Sequence, residues 1–186
     1  LPGTIALAAA REPRRVALIR GDEQITAGAL DAEVRTLAAE LDLSPGARVG
    51  VRSDGGIGFV VTLAAAIAVG ADAVPLGPRL APEDIDGLGL DDILDPQRTY
   101  AAPVQRPAGA SGRLLLLTTG TTGSPVASAR GRLGLRAIAQ LADADRLIDL
   151  PGGPLLLLAP PDHGHGISAL LAALVRGNPV VLGSGT

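Results

Sequence analysis

Short apolar runs of strand length alternate along this chain with longer stretches whose apolar residues recur at helical spacing, and this alternation is what most limits its fold. Arg48–Val51 reads as a strand, Gly56–Val69 as an almost wholly apolar helix and Ala73–Leu76 as a further strand. That order pairs two strands in parallel through a right-handed crossover. Upstream, Leu1–Ala10 reads as a short helix, and Val16–Arg20 as a strand that turns at Gly21-Asp22 into Glu23–Thr26. Thr26 is placed to cap a helix with the stripe Leu30, Val34, Leu37, Ala38 and Leu41, which Ser44-Pro45-Gly46 closes. Downstream, Pro82 suits the first turn of a short helix with Glu83 and Asp84 behind it.

Leu114–Leu117 and Leu155–Leu158 are continuous apolar runs, the pattern of strands buried on both faces, so Leu115, Leu117, Leu156 and Leu158 are expected in the core. Leu135, Ile138, Ala139 and Ala142 suggest a helix, Ile167–Val175 another, and Val180–Leu182 a last strand. The expected fold class is therefore α/β, a largely parallel sheet flanked by helices on both faces. One domain is expected over residues 1–186, with an internal surface connection at 96–112 that holds three Pro, two Gly and no apolar period.

Composition narrows the function. The 186 residues are 47% hydrophobic, enough for a core, and there is no Cys for disulfide or thiolate chemistry. A net charge of −3 with 1% aromatic residues argues against nucleic acid as a partner. All 16 basic residues are Arg. The chain holds no Met and begins at Leu1, so a trimmed N-terminus is expected. Its opening lacks the pattern of a signal peptide, and Phe59–Val69, interrupted by Thr62, is too short to span a bilayer, so a cytoplasmic protein is expected.

The stretch Thr118-Thr119-Gly120-Thr121-Thr122-Gly123-Ser124-Pro125 carries the chemistry. It follows a buried strand. Gly120 and Gly123 can adopt positive φ and let successive N–H groups converge on an anion, while the hydroxyls of Thr118, Thr119, Thr121 and Thr122 rotate onto phosphate oxygens. The plainer alternative is a polar turn between two strands. A Walker loop is excluded, because that motif needs a Lys.

This stretch resembles the phosphate loop of the adenylate-forming superfamily, the acyl-CoA synthetases, luciferases and adenylation domains. The likeness extends along the chain. Residues 16–41 are similar to the family's opening hairpin and first long helix, 45–85 to its next βαβ segment with the Pro75 and Pro78 spacing, and 155–182 to the segment after the loop, where a His-containing turn enters a helix. The resemblance implies that Thr118–Gly123 cradle the β and γ phosphates of ATP and that His163 borders the acyl group. It also implies ATP and magnesium as cofactors, with a carboxylic acid and coenzyme A as reactants.

Two departures qualify what is implied. The family's Lys and Gly fall at Val126 and Ala127, and Arg130, four residues beyond Val126, would have to reach back along an extended strand. The family's adenine and ribose contacts, its magnesium-binding acid and its catalytic Lys all come later than Thr186. No catalytic residue is therefore assigned, and the chain alone is not expected to complete an adenylation.

The other candidates are weaker. His163 and His165 beside Asp162 could suggest a metal site, but no second group of ligands accompanies them, and none is assigned; a loop histidine bonded to backbone is the plain alternative for His163. Gly55–Val60 lacks the final glycine of a dinucleotide fingerprint. Asp91, Asp92 and Asp95 read as solvated surface. The expected function is the N-terminal part of an acyl-CoA synthetase-like ligase of fatty acid metabolism, which activates a carboxylic acid as its adenylate and then as a thioester. The rival reading is a non-catalytic, degenerate homologue that serves as a binding or regulatory module. Either way an uncovered apolar face is expected to drive self-association.

Overall fold

The computed structural model describes residues 1–100, 112–119, 125–130 and 153–183. Two sheets form rather than one. The first joins β1 (Val16–Arg20), β2 (Glu23–Thr26), β8 (Leu155–Leu157) and β9 (Val180–Leu182) in the order β2-β1-β9-β8. The second joins β3 (Arg48–Arg52), β4 (Asp72–Leu76), β5 (Asp92–Leu94), β6 (Leu114–Thr119) and β7 (Pro125–Arg130) in the order β5-β3-β4-β6-β7. Among the described strands only the β1–β2 and β6–β7 pairs are antiparallel; the other pairs run parallel.

The helices among the described residues are α1 (Pro2–Arg11), α2 (Ala27–Glu40), α3 (Ile57–Ala68), α4 (Pro82–Asp86) and α5 (Gly164–Arg176). Each begins where its sequence gives a reason. Thr26 Oγ1 accepts from the Ala29 N–H at 3.3 Å, supplying one of the orphan donors of the first turn of α2. Pro82 opens α4, where its missing N–H costs nothing. Gly56 precedes α3, and its N–H donates to Asp54 Oδ1 at 2.8 Å, so the glycine-rich stretch at 55–60 is a helix start.

The position of α3 explains its composition. It packs on β3 and β4 of one sheet and also reaches β1 of the other, so it is covered on every side. A helix that is apolar all round is one that is buried all round. Phe59, Val60, Leu63 and Ala64–Ala66 are at most 1% exposed, and Thr62, the polar exception, donates its hydroxyl to Gly58 O at 2.8 Å. Fully burying a Val, Leu or Phe side chain is worth about 1.5–3 kcal/mol, so among the described helices this one contributes most to the core.

The two Leu runs have different fates. In β6, Leu114 and Leu116 face the large core that contains α3, and Leu115 faces a second cluster with Val74, Leu76 and Leu88, so that strand is buried on both sides. Leu117 is only partly buried. In β8, Leu157 is 5% exposed beneath α5, whereas Leu156, and Leu158 just past the strand, are 57% and 82% exposed, which corrects their expected burial. β8 is the outermost described strand of its sheet, and α5 covers one of its faces.

Residues 96–100 lead into the expected surface connection; 101–111, the helix expected around Leu135–Ala142, and the rest of 131–152 lie outside the described residues. The chain re-enters the sheet at a fixed point. Arg113 donates from its backbone N–H and from Nε to Asp72 Oδ1, each at 3.0 Å, and its Nη2 donates to Asp72 Oδ2, which ties the start of β6 to the start of β4. The acids at 91–95 also do more than face solvent: Asp91 Oδ2 accepts the Arg48 N–H at 2.8 Å, and Asp95 Oδ1 accepts the Gln97 N–H at 2.9 Å.

Candidate functional site

The parallel sense of β3, β4 and β6 brings their carboxyl ends, Arg52, Leu76 and Thr119, to one end of the five-stranded sheet. In open α/β sheets this is the end where ligands bind. Thr118 and Thr119 close β6, and Thr119 pairs with Pro125, the first residue of β7. Gly120, Thr121, Thr122 and Gly123 lie outside the described residues, between two strand ends that are paired with each other. The motif thus has strands on both sides, and the backbone it leaves from is buried at Leu114–Leu116.

The hairpin register decides the question of the missing cation. Val126, where a Lys would stand, pairs with Thr118 at the loop end. Arg130 pairs with Leu114 at the opposite end of the hairpin. At about 3.4 Å per residue the four steps from Val126 to Arg130 span about 14 Å, so Arg130 does not stand in for that Lys.

His163 approaches the same end of the sheet by another route. It precedes α5, its N–H donates to Pro160 O at 3.1 Å, and its carbonyl accepts the Ile167 N–H at 2.9 Å. The side chain is 68% exposed, with Nδ1 3.5 Å from Asp162 Oδ2, and the Asp162 side chain is only 4% exposed. Gly77, directly after β4, lies against this pair: a Cβ there would stand 2.3 Å from Asp162 Oδ2 and 3.9 Å from His163 Cε1. Gly77 directly follows β4, the parallel neighbour of β6, so Asp162 and His163 stand at the same end of the sheet as Thr118 and Thr119.

Sequence reasoning missed Gly77, and it weighed Asp162 only as a metal ligand. The signal for Gly77 was a lone glycine at a strand end, which has meaning only once the segment approaching it is known. Gly166 is similar, since a Cβ there would meet Pro160 O at 2.0 Å, so the first turn of α5 lies flat against the preceding turn. His165 is exposed, and among the described residues no group of three or more potential metal ligands forms. No helix among the described residues is long and apolar enough to cross a membrane.

Residues 5–88 match the family model described as AMP-binding enzyme. The hybrid PKS-NRPS synthetase LUC5 of a Fusarium species is 27% identical over 94% of this chain, which corresponds to 5% of that protein. The o-succinylbenzoate CoA synthetase MenE of Bacillus subtilis, solved with its acyl-adenylate intermediate, superposes with a TM-score of 0.82 at 20% identity over 100% of this chain and 57% of its own. The N-terminal subdomain of NpsA from Klebsiella oxytoca gives 0.80 at 21% identity over 100% of this chain and 54% of its own. The chain thus spans about half of each of those structures, and at these identities the likeness is one of fold.

Proposed function

From a chain that carries the N-terminal fold of the adenylate-forming enzymes, with their AMP-binding signature over residues 5–88, we propose part of a ligase that activates a carboxylic acid with ATP. In the parent reaction the carboxylate attacks the α-phosphorus, acyl-adenylate forms and pyrophosphate leaves; a thiol then attacks the acyl carbon, the bond to the phosphate breaks, and thioester forms as AMP leaves. Such a displacement is accelerated chiefly by positioning and by donors aimed at the developing charge. Thr118–Gly123 cradle the β and γ phosphates, and His163 borders the acyl group. The observation that carries this reading is at the carboxyl end of the sheet: the Thr/Gly stretch starts at the end of β6, and Gly77, directly after the neighbouring β4, lies against Asp162 and His163.

The hydroxyl and backbone donors of Thr118–Gly123 suit a phosphate chain. They do not suit magnesium, which prefers carboxylate and water oxygens, and the described residues offer it no acid cluster. MenE has been solved with ATP and magnesium, and we assign the metal's ligands in the parent enzyme to segments beyond those described here. The acceptor is coenzyme A, as for a fatty acid-activating synthetase; the relation to a hybrid PKS-NRPS synthetase makes a carrier-bound thiol the alternative. A cytoplasmic location follows from these reactants. Leu156 and Leu158 form the apolar edge through which the chain associates with a second copy.

Val126 in the Lys position supports a second reading, a non-catalytic homologue whose phosphate loop has degenerated and which serves as a binding or regulatory module. Titration calorimetry with pyrophosphate, ATP and GTP separates the two. The ligase reading expects weak, salt-sensitive binding no tighter than about millimolar and indifferent to the base, because the adenine contacts lie elsewhere. Failure of pyrophosphate to perturb Gly120 or Gly123 in NMR spectra favours the non-catalytic homologue. Tight, base-selective ATP binding overturns the assignment of the nucleotide contacts.

A further inference from the structure

Away from the candidate site, a cleft of about 220 Å³ opens where the end of α1, the turn into β1 and the end of α5 meet. It is set apart from His163 by the length of α5, whose 13 residues span about 20 Å. Among the described residues, three arginines line it, Arg11, Arg15 and Arg176, against one carboxylate, Glu12.

Local structure holds these groups in place. Arg11 Nη1 donates to Val175 O at 3.1 Å, and Arg15 Nη1 donates to Glu12 Oε2 at 3.1 Å. A guanidinium carries five N–H donors, so each of these two arginines keeps several for a ligand. Gly177 ends α5 in the left-handed region at φ 76°, and a Cβ there would lie 3.2 Å from Arg15 Nη1, so the guanidinium lies directly over the helix end.

Asn178 provides the second, independent observation. The residue is 9% exposed and lines the cleft, and its backbone N–H is occupied by Ala173 O at 2.9 Å. Its carboxamide makes no hydrogen bond among the described residues. A buried amide without a partner leaves its desolvation uncompensated, and a ligand that pairs with it removes that penalty. The rest of the wall is apolar, with Leu174 2% exposed beneath it.

We propose that this cleft binds a small organic carboxylate, whose anionic head meets Arg11 and Arg15 and accepts from Asn178 while a single ring or short chain lies on the apolar wall. Size supports the class. The cleft lies between the roughly 150 Å³ that holds a benzene ring and the roughly 300 Å³ at which drug-sized pockets begin, which is too small for a nucleotide. Planar, two-pronged recognition by guanidinium also favours a carboxylate over a spherical anion.

The test is NMR titration of the 186-residue chain with benzoate, read at the Asn178 side-chain amide and the Arg15 Nε–H, with benzyl alcohol and inorganic phosphate as controls. Saturable benzoate shifts at both groups are expected, with each control at least tenfold weaker. Arg11→Gln/Arg15→Gln is expected to weaken benzoate at least tenfold. If that double variant does not fold, Arg11→Gln alone is expected to weaken it at least threefold. Non-saturating shifts, equal affinity for benzyl alcohol or phosphate, or an affinity unchanged by the substitutions would overturn the proposal. The readout needs no adenylation, so it is independent of the phosphate loop.

Discussion

Gly166 has no side chain because the Pro160 carbonyl occupies the space where one would begin. Gly166→Ala must push backbone against backbone, and a cost of about 1–3 kcal/mol is expected. Gly153→Ala meets nothing within 4 Å and serves as the control. Thermal unfolding of the two variants checks the difference; equal midpoints would mean that the turn holding His163 yields freely. Val126 makes the complementary case, a strand residue without the charge that the family resemblance implies at its position. Val126→Lys adds a cation at the loop end of the hairpin, where one charge-assisted bond is worth about 1.5–3 kcal/mol, and tenfold or tighter pyrophosphate binding is expected by calorimetry. Unchanged affinity would detach the loop from phosphate.

At the level of elements, caps and clamps decide where the segments start. Thr26→Ala removes the acceptor for the Ala29 N–H and is expected to cost about 1 kcal/mol, measured by urea denaturation. The Asp72–Arg113 clamp adds a dependence on pH. Hydrogen bonds from the Arg113 side chain hold the Asp72 carboxyl below its ordinary range, although burial opposes them. Its contribution is therefore complete above about pH 4, the unfolded value for Asp, and is lost as pH falls through the lower folded value. Asp72→Asn should reduce stability at neutral pH, and the gap to the unaltered chain should narrow in acid. A gap that is constant from neutral pH down to pH 2 would show that the ion pair contributes nothing.

Across the whole molecule, the two sheets share α3 as a common filling, so residues far apart in sequence settle which surfaces are covered. β8 illustrates this, with Leu157 under α5 while Leu156 and Leu158 face outward. An exposed apolar pair on an outer strand favours association, and concentration-dependent light scattering is expected to show it. Leu156→Ser/Leu158→Ser should suppress it. A chain that is monomeric at high concentration before substitution would mean that this edge is inert.

Much of the architecture was legible from periodicity, because repeats of 3.6 and 2 residues are consequences of local backbone geometry. The stripe of α2, the hairpin at Gly21-Asp22, the parallel β3–α3–β4 unit and the Thr26 cap all follow from it, as do the bounds of β9. The family likeness was legible too, since the Thr/Gly stretch and its neighbours come in a particular order. Tertiary structure alone decided the rest. Leu114–Leu117 and Leu155–Leu158 are the same four letters, yet one run is largely buried and the other is half open. Burial depends on which segments arrive on each face, and a local string contains no record of them. For the same reason no local signal tied Gly77 to Asp162, or sent Arg130 to the far end of the hairpin: both follow from strand register, which long-range packing selects.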